Sequence, residues 1–151
     1  MAALDERATQ FLHRLLECPS PSGAEQPLQR MISAEFKNIA HDITADSHGN
    51  LILGLNTKAE CRVMVASHCD QIGFMVKHIT DGSFLQVEPI GGTDSGVLQG
   101  SRVVIWTGQG PVQGIFGRKP IHLQSDSELT QVPRLKQMWI DIGAKDRLDA
   151  E

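Results

Sequence analysis

The sequence predicts an α/β chain in two parts: helices packed on a small sheet, then a β-rich barrel or sandwich. Three observations predict it. Apolar residues recur at helical spacing through the first segment. From His41 that period gives way to short apolar runs. After Gly73 helical periodicity disappears, and glycine-containing turn signals separate one run from the next.

Leu4, Ala8, Phe11, Leu12, Leu15 and Leu16 form one apolar stripe, which predicts an amphipathic helix over about residues 4–17. Pro19-Ser20-Pro21-Ser22-Gly23 breaks it. Ser22 and Glu25 have capping-box spacing, so a second helix is expected to start at Gly23 and to bury Leu28, Met31, Ile32 and Phe36. Pro27 falls late for a helix start and makes the first turn irregular. Asp42–Asp46 and Leu51–Leu55 read as two strands joined by the turn residues Ser47-His48-Gly49-Asn50. Arg62–Ala66 is a dense apolar run of the kind found in central strands buried on both faces. The order αα-ββ-β suggests a helix-on-sheet layer.

Beyond residue 73, runs 74–79 and 84–87 flank Asp81-Gly82, a hairpin signal. Runs 102–106 and 112–116 flank Gly108-Gln109-Gly110, and 138–142 is a further strand. Short strands with regular turns suggest a small barrel or sandwich, with the boundary between the two parts near residue 73.

Composition narrows the function. With 151 residues there is room for one ordinary domain or two small ones. Hydrophobic residues at 40% and charged residues at 21% describe a soluble globular chain. Net charge is −4, no basic block occurs, aromatics are 5% and Tyr is absent, so neither phosphate neutralisation nor base stacking is provided for. Nucleic acid is therefore excluded as a partner. The acidic N-terminal residues lack the apolar segment of a secretory signal, and no apolar run is long enough to span a bilayer. Cys18, Cys61 and Cys69 form an odd set without CxxC spacing, which fits a reducing cytosol better than a disulfide framework.

The residues most suited to chemistry are His68 and Asp70. They follow an apolar run, and ligands gather at the carboxyl ends of strands in α/β sheets. Two apart in extended chain, they point to one side while Cys69 points away. A neutral imidazole suits a divalent metal, with Asp70 accepting its other ring N–H and fixing the tautomer. The same spacing is met by a hydrogen-bonded histidine at a strand end. Cys69 diverges from His68, so it reads as an inert thiol, as do Cys18 and Cys61. His13, His41, His48, His78 and His122 have no partners at ligand spacing, and the acidic residues from Asp126 to Glu151 read as a solvated surface.

Taken together the motifs resemble the dinuclear metallo-aminopeptidase family of glutamyl and deblocking aminopeptidases and TET particles, some members of which carry an endoglucanase label. The resemblance rests on Pro19-Ser20-Pro21-Ser22-Gly23, Asp46-Ser47-His48-Gly49-Asn50-Leu51, Ser67-His68-Cys69-Asp70-Gln71-Ile72-Gly73-Phe74 and Pro89-Ile90-Gly91-Gly92. It continues through Val97-Leu98-Gln99-Gly100, Lys119-Pro120-Ile121-His122-Leu123 and Ile140-Asp141-Ile142-Gly143-Ala144-Lys145, in that order. It implies that residues 1–72 are the first part of a catalytic α/β domain and that 73–151 are an inserted β-barrel-like domain for dimerisation and higher assembly. It further implies a cytoplasmic peptidase that removes N-terminal residues from peptides with two zinc or cobalt ions bound. His68 would ligate one ion and Asp70 would support it.

Two departures from the family pattern matter. Where the family commonly has Met-Asp-Glu, this chain has Cys69-Asp70-Gln71, with His68 and Asp70 kept. The family's bridging Asp, paired Glu residues, further Asp and final His are expected in a second half of the catalytic domain. No Glu-Glu pair occurs here, and Asp146 in Lys145-Asp146-Arg147 is expected to start a helix, not to bridge metals. The expectation is therefore a chain lacking the second half of its active site, with weak or partial metal binding, little peptidase activity and exposed apolar surface around residues 51–66. The alternative is a non-catalytic assembly module or remnant. A continuation past codon 151 encoding Asp-Asp-Arg and Glu-Glu would separate the two.

Overall fold

The computed structural model describes residues 5–151, which divide into two compact units between Gln71 and Ile72.

In the first unit, α1 spans Glu6–Glu17 and is capped by Asp5, whose carboxylate accepts the Ala8 N–H at 2.7 Å. The expected helix over 4–17 is thus observed from Glu6, and Leu4 lies outside the described residues. Helix α2 spans Gln26–Phe36 and buries Leu28. The two helices meet through Phe11 and Phe36, edge to face at 5.8 Å, and through Arg7 and Arg14, which donate to Glu35 at 3.1 and 2.9 Å. Those two guanidiniums, Arg14 foremost, hold the Glu35 carboxyl below its ordinary pKa.

The expected capping box does not form. Glu25 accepts from the Gly23 N–H at 2.7 Å, and α2 begins at Gln26 with Pro27 in its first turn, where a missing N–H removes no helical bond. The Ser22 hydroxyl is engaged elsewhere.

Strands β1 (Asp42–Ala45) and β2 (Leu51–Gly54) form an antiparallel hairpin, with α2 packed against β2. Asp46 closes the turn by accepting the His48 and Asn50 N–H groups, each at 2.9 Å, while Gly49 takes a left-handed φ of 86°. The expected third strand is absent: residues 62–66 join no sheet, and Val63, Met64 and Val65 are 85–91% exposed. An apolar run becomes a central strand only where neighbours supply its backbone bonds on both sides. Among the described residues this hairpin pairs only with itself.

The second unit is one five-stranded antiparallel sheet. Its strands are β3 (Gly73–Ile79), β4 (Leu85–Ile90), β5 (Arg102–Thr107), β6 (Gly110–Arg118) and β7 (Met138–Asp141), in the order β3-β4-β7-β6-β5. Its core is Leu85, Val87, Leu98, Phe116, Met138 and Ile140. Phe74 of β3 reaches Phe116 of β6 at 5.0 Å although two strands separate them, so the sheet curls over its core. This is a curled single sheet and not two sheets packed as a sandwich. The hairpin signal at Asp81-Gly82 marks a real turn, but the left-handed residue is Ser83, at φ 68°. Its hydroxyl donates to the Ala144 carbonyl at 2.7 Å, a contact glycine could not make. Two short helices, α3 (Asp126–Leu129) and α4 (Arg147–Ala150), complete the unit. Among the described residues no helix is long and apolar enough to cross a membrane.

Candidate functional site

His68 and Asp70 sit on an extended segment of the first unit that is held by a loop rather than by a sheet. The clamp comes from the Pro19–Gly23 break. The buried Ser20 donates its hydroxyl to the Cys69 carbonyl at 2.9 Å, and its own carbonyl accepts the Gln71 N–H at 2.8 Å. Pro21 and Gln71 form an isolated parallel bridge, the pairing a proline can join without its missing donor. Gly23, at φ 92°, turns the chain away into α2.

This arrangement corrects the reason for expecting the site, because no buried strand precedes His68. The geometry of the pair is nonetheless as the spacing suggests. His68 Nδ1 lies 2.9 Å from Asp70 Oδ1 and 3.2 Å from the Asp70 carbonyl oxygen. A carboxylate and a carbonyl both accept, so Nδ1 carries the proton and Nε2 carries the lone pair. The His68 side chain is 84% exposed, which leaves Nε2 open to a ligand. Asp70 uses its second oxygen, Oδ2, to accept the Ser22 hydroxyl at 2.6 Å. Ser22 first and His68 second hold the Asp70 carboxyl below its ordinary pKa, so it stays anionic.

Cys69 turns away, as alternation requires, and its sulfur accepts from Gln29 Nε2 of α2 at 3.4 Å. Burial, then the Glu25 and Asp70 charges, push its thiol pKa up, which disfavours the thiolate a nucleophile needs.

The acidic residues of the second unit have local duties. Glu128 closes a capping box with Ser125 and pairs with Lys119 at 3.0 Å; Asp146 caps α4 by accepting the Asp149 N–H. Among the described residues no three His, Cys, Asp or Glu side chains are grouped to hold a metal ion. The donor set around His68 therefore fits one ligand position of a metal centre and does not complete one. Ser22 is the residue that sequence reasoning missed. Its spacing to Glu25 assigns the hydroxyl to a helix start, and nothing in local spacing links position 22 to position 70.

Residues 49–151 match the family model described as M42 glutamyl aminopeptidase. The lysyl aminopeptidase of Pyrococcus furiosus is 31% identical over 145 residues, covering 94% of this chain and 41% of that protein. The TET aminopeptidase of a marine-sediment Thaumarchaeota archaeon superposes with a TM-score of 0.91 at 29% identity, over 97% of this chain and 41% of that one. The TET1 peptidase of Pyrococcus horikoshii, described as able to assemble into a tetrahedron or a large octahedral shell, gives 0.81 at 32% identity, over 94% and 42%. The chain thus spans about two-fifths of the length of the relatives it matches.

Proposed function

Since this chain belongs to the M42 glutamyl aminopeptidase family, we propose that it is the first portion of a cytoplasmic, metal-dependent aminopeptidase that removes N-terminal residues from peptides. Residues 1–72 begin the catalytic domain, and 73–151 form an inserted domain through which copies associate. The observation that carries the reading is the His68–Asp70 pair, with Nδ1 fixed on the carboxylate at 2.9 Å and Nε2 exposed. That is the arrangement of a metal-ligating histidine and its orienting carboxylate.

In the complete enzyme two divalent ions, zinc or cobalt, would polarise the scissile carbonyl and acidify the attacking water. This chain's share is narrower. His68 presents one nitrogen in one tautomer, and Asp70 balances the charge gathered there. A catalytic metal site needs about three protein ligands, so the 151 residues alone bind metal weakly and turn over little or no substrate.

Titration of the pure chain with cobalt, followed by calorimetry and absorbance, tests this. Weak binding that His68→Ala abolishes, with negligible hydrolysis of aminoacyl-nitroanilides, is the expected result. Binding indifferent to His68→Ala would overturn the ligand assignment, and robust His68-dependent hydrolysis would overturn the claim of an incomplete site. Self-association is tested by sedimentation. A chain without residues 73–151 that still assembles would move that role to the first unit and leave the inserted-domain reading without support.

A further inference from the structure

Pro19-Ser20-Pro21-Ser22-Gly23 reads in sequence as a helix breaker, yet its side chains are spent on the segment carrying His68. Ser20 grips the backbone on both sides of Asp70, through the Cys69 carbonyl at 2.9 Å and the Gln71 N–H at 2.8 Å. That fixes the register between the two segments. Ser22 stands in the turn that follows, closed by the Ala24 N–H on the Pro21 carbonyl at 2.8 Å, and that turn carries its hydroxyl beside the Asp70 side chain. It donates to Oδ2 at 2.6 Å while Oδ1 faces His68 Nδ1 at 2.9 Å.

Two facts argue that this hydroxyl serves the carboxylate and not the helix. The Ala24 N–H, one that a Ser22 cap would take, goes instead to the Pro21 carbonyl at 2.8 Å, and α2 starts from Glu25 with no side-chain cap bond. Asp70 is 39% exposed and His68 84% exposed, so their contact alone competes with water, and a carboxylate turns easily about its last bond. A second bond on the far oxygen removes that freedom.

We infer that Ser22 is a positioning residue for His68. It locks the Asp70 carboxylate in the plane that keeps the proton on Nδ1 and gives the open Nε2 one bearing. The inference rests on the reading of His68 as a ligand, but its first test does not need a metal. In the metal-free chain, at a pH where the imidazole is neutral, the nitrogen shifts of His68 report its tautomer directly.

Wild type is expected to show the Nδ1–H form almost alone. Ser22→Ala is expected to show a mixture of tautomers, and Ser22→Thr, which keeps the hydroxyl, to restore the single form. The cobalt dissociation constant is expected to rise about tenfold in Ser22→Ala and to recover in Ser22→Thr, near the lower end of what such outer partners contribute. An unchanged tautomer in Ser22→Ala overturns the proposal. A tautomer that shifts equally in Ser22→Ala and Ser22→Thr also overturns it, since the hydroxyl would then not be the cause. If His68→Ala leaves cobalt binding intact, the ligand reading has failed, and the tautomer result still decides what Ser22 does to His68.

Discussion

Gly114 of β6 and Ile140 of β7 touch so closely that a Cβ on Gly114 would lie 2.6 Å from Ile140 Cγ2. Ile105 Cδ1 and Ile142 Cγ2 close the same space at 2.9 and 3.2 Å, and all three belong to or pack against the core of the second unit. The missing side chain at Gly114 therefore lets β6 lie against these core side chains.

Gly114→Ala should destabilise this unit by about 1–3 kcal/mol, the usual cost of overpacking a filled core. Trp106 and Trp139, the only two tryptophans, both lie in the second unit, so their fluorescence in a urea titration reads it selectively. Gly108→Ala is the control, because nothing lies within 4 Å of the added methyl. Equal midpoints for the two variants would refute the packing argument.

The strands of the second unit are legible because each lies between turn residues and most supply alternate side chains to one face, β3 with its irregular register between Val76 and His78 excepted. In β4, Leu85 and Val87 are buried while Gln86 and Glu88 are exposed. Val63-Met64-Val65 misled for the complementary reason. An apolar run records what a segment can bury, but not whether neighbours exist to bury it. The His68–Asp70 contact was legible because it spans two residues. Ser22 stands 48 residues from Asp70, and only the Ser20 clamp brings them together. The capping-box spacing at Ser22 even pointed away from the site.

Acid should loosen the loop around α3. The Ser125 N–H, the Lys119 ammonium and the Ser125 hydroxyl lower the Glu128 pKa from 4.5 to about 2. A depressed folded-state value means the stabilising contribution is complete above the unfolded pKa of 4.5 and is lost as pH falls through about 2. The Glu128 carboxyl carbon shift should titrate at about 2, and the Ser125 amide shift should move with it as its bond to Oε2 at 2.8 Å weakens. In Glu128→Gln the Ser125 amide should show no such transition. Titration of Glu128 near its ordinary value would mean the capping box is not held in solution.

Thiol labelling should discriminate the cysteines. Cys61 is exposed, whereas Cys69 is partly buried against Gln29 with its thiol pKa raised. Iodoacetamide should modify Cys61 first and Cys69 much later, as read by peptide mass spectrometry. Replacing Gln29 with Ala uncovers the sulfur and should speed labelling at Cys69 without changing the rate at Cys61. If Cys69 reacted as fast as Cys61, the inert-thiol assignment would be wrong and a nucleophilic role would reopen.

Val63, Met64 and Val65 expose most of their surface in sequence, and Ile52 and Leu55 of the same unit are 57% and 59% exposed. Scattered apolar residues on a surface are ordinary, but a run of three that joins no sheet is a surface for apolar ligands. The chain should bind a hydrophobic dye through this run. Val63→Lys with Val65→Glu places opposite charges on alternate residues and should lower dye binding severalfold. Because neither side chain is packed, the melting temperature should move little. A fall in melting temperature as large as that of Gly114→Ala would show that the segment is buried in solution after all, and that the apolar run had found the neighbours its sequence asks for.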